Sequence, residues 1–226
     1  RDNYWRIKEE ILAFYEKNSQ LIKPNNTPAK YKEDGWKNFS LYAFGIRFDD
    51  HISYFPVLES VIRQIPYLIS AQFAILEPKV RVKAHFGDTN AIIRSHLGIV
   101  VPGKYPELGF RNGSEERCWK EGDVLAICIS HRHYVWNYTD HKRIVLIIDT
   151  MHPEYVNKKY FICSGLLASQ SMKILASKYQ LLKKFPKHAT IIFHKIFIAP
   201  FFIMLFMQDK LNINLFRFIM RLRKKI

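Results

Sequence analysis

The chain has 226 residues, 48% hydrophobic and 15% aromatic, which is long and apolar enough to bury a core and excludes a disordered polyelectrolyte. Its net charge of +15 is unevenly spread: residues 151–226 carry 14 Lys and Arg against 2 Asp and Glu, whereas residues 1–150 carry 21 against 18. Basicity confined to the last third does not fit a uniformly basic nucleic-acid-binding fold, and no nucleic-acid partner is expected.

Cys118, Cys128 and Cys163 form no C-x-x-C pair. That argues against a disulfide framework or a zinc ribbon and fits a reducing compartment. The chain begins at Arg1 rather than Met, so an upstream signal or membrane segment stays open.

In chain order, "YWRIKEEILAFYEKN" (4–18) spaces Trp5, Ile7, Ile11, Leu12 and Tyr15 as an amphipathic helix. Residues 19–35, with Pro24, Asn25, Asn26 and Pro28, read as loop. "WKNFSLYAFG" (36–45) alternates as a strand, and "YFPVLESVIRQIP" (54–66) reads as a helix entered at Pro56. Short β-like runs follow at 71–77, 79–85, 92–101, 107–111, 123–129, 133–137 and 143–149, a spacing that predicts a sandwich or barrel. No phosphate-binding glycine loop is present. After Pro153 the pattern turns helical, with 165–185, an apolar stretch at 189–207, and 211–226.

Within the β-like region His85, Arg94, His96, His133 and Arg143 stand out. A His ending one strand and an Arg opening the next, ten residues on, are expected to face one cavity across a hairpin. Imidazoles can bind Fe(II) with positions left open, and a guanidinium beyond them can clamp a carboxylate bidentately. Taken singly, each is more often structural, and Arg143 has Asp149 or a strand neighbour as an ordinary partner.

The ordered words "HFGDTNAIIRSHLGIVVP", "CWKEGDVLAICISHRHYVWN" and "KRIVLIIDTMHPE" resemble the catalytic domain of the aspartyl/asparaginyl β-hydroxylases. "WRIKEEIL" and "GWKNFSLYAFG" are similar to upstream elements of that family, and the resemblance covers roughly residues 4–155. It implies a double-stranded β-helix (a jelly-roll, cupin-like core) flanked by an N-terminal helix and a basic helical tail. The expected domains are 1–155, catalytic, and 156–226, a basic apolar helical region. It also implies a dioxygenase using Fe(II), 2-oxoglutarate and O2, and releasing succinate and CO2. Carried over by position, His85 and His133 match the iron ligands, and Arg143 matches the residue holding the distal carboxylate of 2-oxoglutarate. Arg94, His96 and Trp36 match further co-substrate positions. Two departures are visible: Cys128 and Ile129 stand where acidic residues often precede the second histidine, and Ala74 stands where a small hydroxyl residue is expected.

Gly87 occupies the position where a third, carboxylate ligand would sit in an H-x-D site. In an extended chain Gly87 shares the face of His85 and Asp88 points away, so Asp88 reaches iron only if the chain turns at Gly87. The resemblance implies that H-x-G is usual for vertebrate-type members, whereas bacterial lipid A hydroxylases look more like H-x-D. The favoured expectation is a two-histidine site with Asp88, and with it Asn90, contacting substrate or supporting the ligands.

The uninterrupted apolar part of the tail, 196–207, is about half of the ~20 residues a span needs, so an interfacial segment is expected in preference to a clean span. Its basic flanks suit an anionic membrane, contacted through 186–226, and a helical cap on the β-core is the competing expectation. The expected location is the cytoplasm or the cytoplasmic face of a membrane. The expected substrate is a peptide Asp or Asn side chain, with a lipid acyl chain, or a non-catalytic binding role, as alternatives.

Overall fold

The computed structural model describes residues 3–25, 35–179, 186–217 and 219. Parts of three expected elements, at 26–34, 180–185 and 220–226, lie outside the described residues.

Helix α1 (Tyr4–Asn18) is followed by β1 (Lys23–Pro24), β2 (Trp36–Ala43), β3 (Ile46–Arg47) and two short helices, α2 (Asp49–Ile52) and α3 (Pro56–Ile62). The strands β4 (Leu68–Leu76), β5 (Val80–Arg81), β6 (Ile92–Val100), β7 (Leu108–Asn112), β8 (Glu115–Arg117), β9 (Val124–Cys128), β10 (His133–Asn137) and β11 (Arg143–Met151) come next. Two long helices, α4 (Lys159–Lys178) and α5 (Lys187–Leu211), follow them.

The strands form two facing antiparallel sheets, a larger one in the order β1-β2-β4-β11-β6-β9 with β3 beside β2, and a smaller one in the order β5-β10-β7-β8. This is the expected double-stranded β-helix with flanking helices. Side-chain alternation gives the large sheet two different faces. Phe39, Leu41, Ala71, Phe73, Ile75, Ile144 and Leu146 point outward into one apolar cluster with Ile7, Ile11 and Phe14 of α1 and Leu58 and Ile62 of α3. Its aromatic heart is tight, with ring centroids 4.6 Å apart for Phe14 and Phe39 and 4.7 Å for Phe14 and Phe55. Each such side chain contributes roughly 1.5–3 kcal/mol by leaving water. Glu10 locks the helical layer by accepting the Val57 and Leu58 amides at 2.9 Å, which satisfies first-turn donors of α3.

The opposite residues of the same strands, Arg94, His96, Arg143 and Asp149 among them, face the small sheet. Burying β11 on both faces explains its near-continuous apolar run, and the polar residues breaking that run are those the interior uses.

Several boundaries differ from the sequence expectation for local reasons. The run 79–85 shortens to Val80–Arg81: Lys79, with a left-handed φ of 58°, stays outside the strand, and after a last amide bond from Val82 to the Val135 carbonyl, pairing returns as a single bridge at His85. The 54–66 helix is confined to Pro56–Ile62. The strand β8 has the sequence Glu-Glu-Arg, which carries no apolar alternation to read.

The tail differs more. Helix α5 runs unbroken through Pro200, and Thr190–Leu211, 22 residues with mean hydropathy 2.0, is long and apolar enough to cross a membrane. Counting only 196–207 underestimated it, because one missing amide donor at Pro200 does not interrupt the helix around it. Part of the tail packs on the β-core, as the helical-cap expectation had it. Cys163, Leu166, Leu167, Met204 and Leu205 join the cluster lined by Ala74, Phe110, Trp119 and Val145, and Gln208 binds Gly45 and Arg47 backbone. Yet only 11% of the apolar window is buried, and Ile192, Ile196 and Ile203 lie exposed.

Candidate active site

Alternation along β6 and β11 puts Arg94, His96, Arg143 and Ile147 on one inner surface, where the register pairs Asp149 with Arg94 and Ile147 with His96. Across the gap β10 supplies His133 and Val135, and the segment after β5 supplies Val82 and His85. Trp36, Ala74, Phe110 and Ile127 complete the lining. Six predicted positions therefore share one cavity: Trp36, His85, Arg94, His96, His133 and Arg143.

The hairpin expectation needs correcting. His133 opens β10 in the small sheet and Arg143 opens β11 in the large one, so they face each other between sheets. The connection changes sheets at Asn137, which is fully buried and donates to the Leu76, Glu77 and His141 carbonyls at 3.2, 3.2 and 2.8 Å. Those bonds tie the end of β4 to the crossing.

His85 and His133 are directly opposed in an antiparallel bridge, exchanging amide-to-carbonyl bonds of 2.9 and 2.8 Å. Opposed residues project to the same side, and the two ring centroids are 4.3 Å apart. The Nδ1 of each ring bonds a carbonyl two residues earlier, Lys83 at 2.9 Å and His131 at 2.8 Å. Because a carbonyl only accepts, each Nδ1 carries the proton and each Nε2 carries the lone pair. That is the tautomer a metal requires. Among the described residues no group of three His, Cys, Asp or Glu side chains is arranged for a metal ion.

Gly87 explains the missing carboxylate sterically. Its amide donates to the Ile129 carbonyl at 2.7 Å, and a Cβ there would lie 2.7 Å from that oxygen and 2.8 Å from Ile129 Cγ1. Any side chain at 87 would need the loop rebuilt. Asp88 faces elsewhere: its carboxylate accepts from Lys173 at 2.9 Å and from Gln170 at 3.1 Å, both on α4. Asn90 is exposed in a bend and lines neither the cavity nor its mouth. Cys128, the other departure beside Ile129, is exposed and lies 3.1 Å from Ser130 Oγ.

The cavity floor is electrostatically unbalanced. Arg94 forms a two-point pair with buried Asp149, at 2.7 and 2.8 Å, which spends that carboxylate. Arg143 is only 2% exposed, its Nε has no hydrogen-bond partner among the described residues, and burial pushes its pKa down to about 9. What it does have is the face of Trp119, 4.6 Å from the guanidinium carbon. Trp119 also donates its indole N–H to His96 Nδ1 at 3.2 Å, which leaves the proton of a neutral His96 on Nε2. That Nε2 is buried and unpartnered among the described residues, and burial first, then Arg94 and Arg143, drives the His96 pKa well below 6.5. Two buried donors, one of them charged, thus lack acceptors in the same pocket, a cost of ~1–3 kcal/mol each, more for the charged one. An anion with carboxylate geometry would satisfy both.

Trp119 received no role from the sequence, since a single tryptophan in an irregular segment has no periodicity to reveal its direction. The outer mouth was equally hidden. It widens into a groove bordered by Asn38, Ser40 and Gln72 of the large sheet, Phe86 and Asp88 of the His85 loop, and Leu166, Gln170, Lys173 and Ile174 of α4.

A family model described as aspartyl/asparaginyl beta-hydroxylase matches residues 1–153. An ornithine lipid ester-linked acyl 2-hydroxylase of Rhizobium tropici is 36% identical over 147 residues, 65% of this chain and 50% of that protein. The human aspartyl/asparaginyl beta-hydroxylase is 30% identical over 157 residues, 67% of this chain and 20% of that protein. The chain therefore spans about half or less of the length of these relatives. Among solved structures, a DMSP lyase from Ruegeria pomeroyi superposes with a TM-score of 0.44 at 13% identity, covering 67% of this chain and 65% of that one. By the match over most of its length, the chain belongs to the aspartyl/asparaginyl β-hydroxylase family.

Proposed function

We propose that this protein is an Fe(II)- and 2-oxoglutarate-dependent hydroxylase acting on an acyl chain of a membrane lipid. The observation that carries the reaction class is buried Arg143, whose Nε has no partner among the described residues, in the cavity that also holds two imidazoles in the metal-binding tautomer. His85 and His133 would hold the metal through Nε2. Fe(II) with 2-oxoglutarate and O2 would supply oxidation of a substrate C–H bond to C–OH, with release of succinate and CO2.

The residues of the chain do the positioning. Arg143 and the Nε2–H of His96 hold the far carboxylate of the co-substrate, and Trp119 keeps both aimed. Arg94 is neutralised by Asp149, so one net positive charge faces the anion. Gly87, pressed against Ile129, brings no side chain toward the two imidazoles, so a bound metal would keep positions for the small reactants. Phe110, Ile127 and Val135 keep water from the reacting centre.

Exposed α5 favours the lipid substrate over the peptide expected first from sequence. An apolar helix of this length costs too much to leave in water, and it suits a membrane surface near the groove. The family relative named for acyl hydroxylation supports the same choice. A peptide Asp or Asn substrate is the second reading, favoured by the polar groove wall in which Asn38 and Ser40 both donate to Gln72, at 2.7 and 3.2 Å.

The test measures Fe(II) and 2-oxoglutarate binding, succinate release, and product mass on lipid and peptide substrates. Wild type is expected to bind both and His133→Ala to lose metal binding and succinate release. A wild-type protein that binds neither Fe(II) nor 2-oxoglutarate sinks the proposal, and a hydroxylated peptide with unchanged lipid reverses the substrate order.

A further inference from the structure

A second cavity lies outside the site, between α4 and α5. Met172, Leu175 and Ala176 line it from α4, and Thr190, Phe193 and Phe197 line it from α5, with Lys173 at its edge. Its volume, about 370 Å³, falls within the ~300–1,000 Å³ of small-molecule sites. The two helices do not close here because their tight contact lies elsewhere, where His194 Nε2 lies 3.0 Å from Ser169 Oγ and 3.1 Å from the Gly165 carbonyl.

Two continuities identify the occupant. Lys173 borders both this cavity and the groove that reaches His85 and His133, so one extended molecule can lie across it. On the other side Phe193, a wall of the cavity, belongs to the exposed apolar surface of α5 with Ile192 and Ile196. The slot is therefore flanked by the exposed apolar face of α5 on one side and, across Lys173, by the groove on the other. An extended peptide would leave amides unpaired among these side chains, whereas a polymethylene chain has none to satisfy.

We propose that the α4–α5 slot holds one acyl chain of the membrane lipid whose reacting part lies in the groove over His85 and His133. The proposal rests on the lipid reading of the active site and adds where the chain is gripped. Each further CH₂ buried strengthens binding about fourfold, so the slot would select for chain length.

The probe is 11-(dansylamino)undecanoate, titrated by fluorescence against the whole chain, with Ala176→Trp blocking the slot from α4 and Thr190→Trp from α5. Thermal melts by circular dichroism identify which variants fold, and either folded variant suffices. Wild type is expected to bind saturably, and a blocked variant at least about tenfold more weakly, roughly 1.4 kcal/mol. Equal affinity in wild type and a folded variant overturns the slot. Lipid hydroxylation with a chain-length preference unmoved by either variant also overturns it, while the lipid reading stands. Probe binding lost in the variants, with no lipid hydroxylated, keeps the slot and fails the substrate reading instead.

Discussion

The floor of the deep cavity and the outer face of α5 are mismatched to their surroundings in opposite senses. The floor buries a guanidinium and an imidazole N–H that have no acceptor among the described residues, while α5 exposes isoleucines that have no apolar cover. Elsewhere the chain balances such costs: Arg94 meets Asp149, and Phe14 meets Phe39 and Phe55. A protein alone in water gains nothing from either imbalance. On the proposed function each is half of a complex, with an anion for the first and hydrocarbon for the second.

The sharpest way to break this comparison is to repair the first imbalance. Arg143→Met replaces an uncompensated buried charge by an apolar chain of similar length. It is expected to weaken 2-oxoglutarate binding by about 2–5 kcal/mol, measured by calorimetry, while raising the melting temperature of the ligand-free protein. A variant that loses stability as well would mean that Arg143 is structural.

Repairing the second imbalance acts on location alone. Ile192→Gln, Ile196→Gln and Ile203→Gln together should remove most co-sedimentation with anionic liposomes without changing the charge, since each lost contact costs roughly 1.5–3 kcal/mol at full burial. Fe(II) affinity should not change. Undiminished liposome binding would assign membrane contact, if any, to another surface.

The smallest expected effect is a pH dependence. His96 titrates well below 6.5 in the folded protein and near 6.5 when unfolded, because burial and two arginines oppose its charge. The unfolded chain then binds the proton first as pH falls, so stability drops progressively below about pH 6.5. Melting temperatures from pH 7.5 to 5 should show this slope, and His96→Gln should flatten it.

Much of the fold was legible because both faces of β4 and β11 are buried, and buried strands must be apolar in runs that stand out in any chain. The candidate site was legible as residue types in order, His85 to Arg143, but not as geometry. A hairpin was the natural guess for His133 and Arg143, ten residues apart, and it was wrong because Asn137 carries the chain from one sheet to the other. The 79–85 run misled for a smaller reason: its pairing stops after Val82 and returns only at His85, a break that spacing along one strand does not reveal.

Sequence alone determined that helices frame a β-core, that five polar residues, His85 to Arg143, stand in the order of one family, and that Gly87 stands where a carboxylate is absent. Only the tertiary structure decided that Gly87 is pressed against the Ile129 carbonyl, that Trp119 aims His96 and supports Arg143, and that α4 walls the groove. Those facts depend on which distant backbones meet. Alternation and spacing describe the direction of a side chain relative to its own strand, and they carry no information about what stands opposite it.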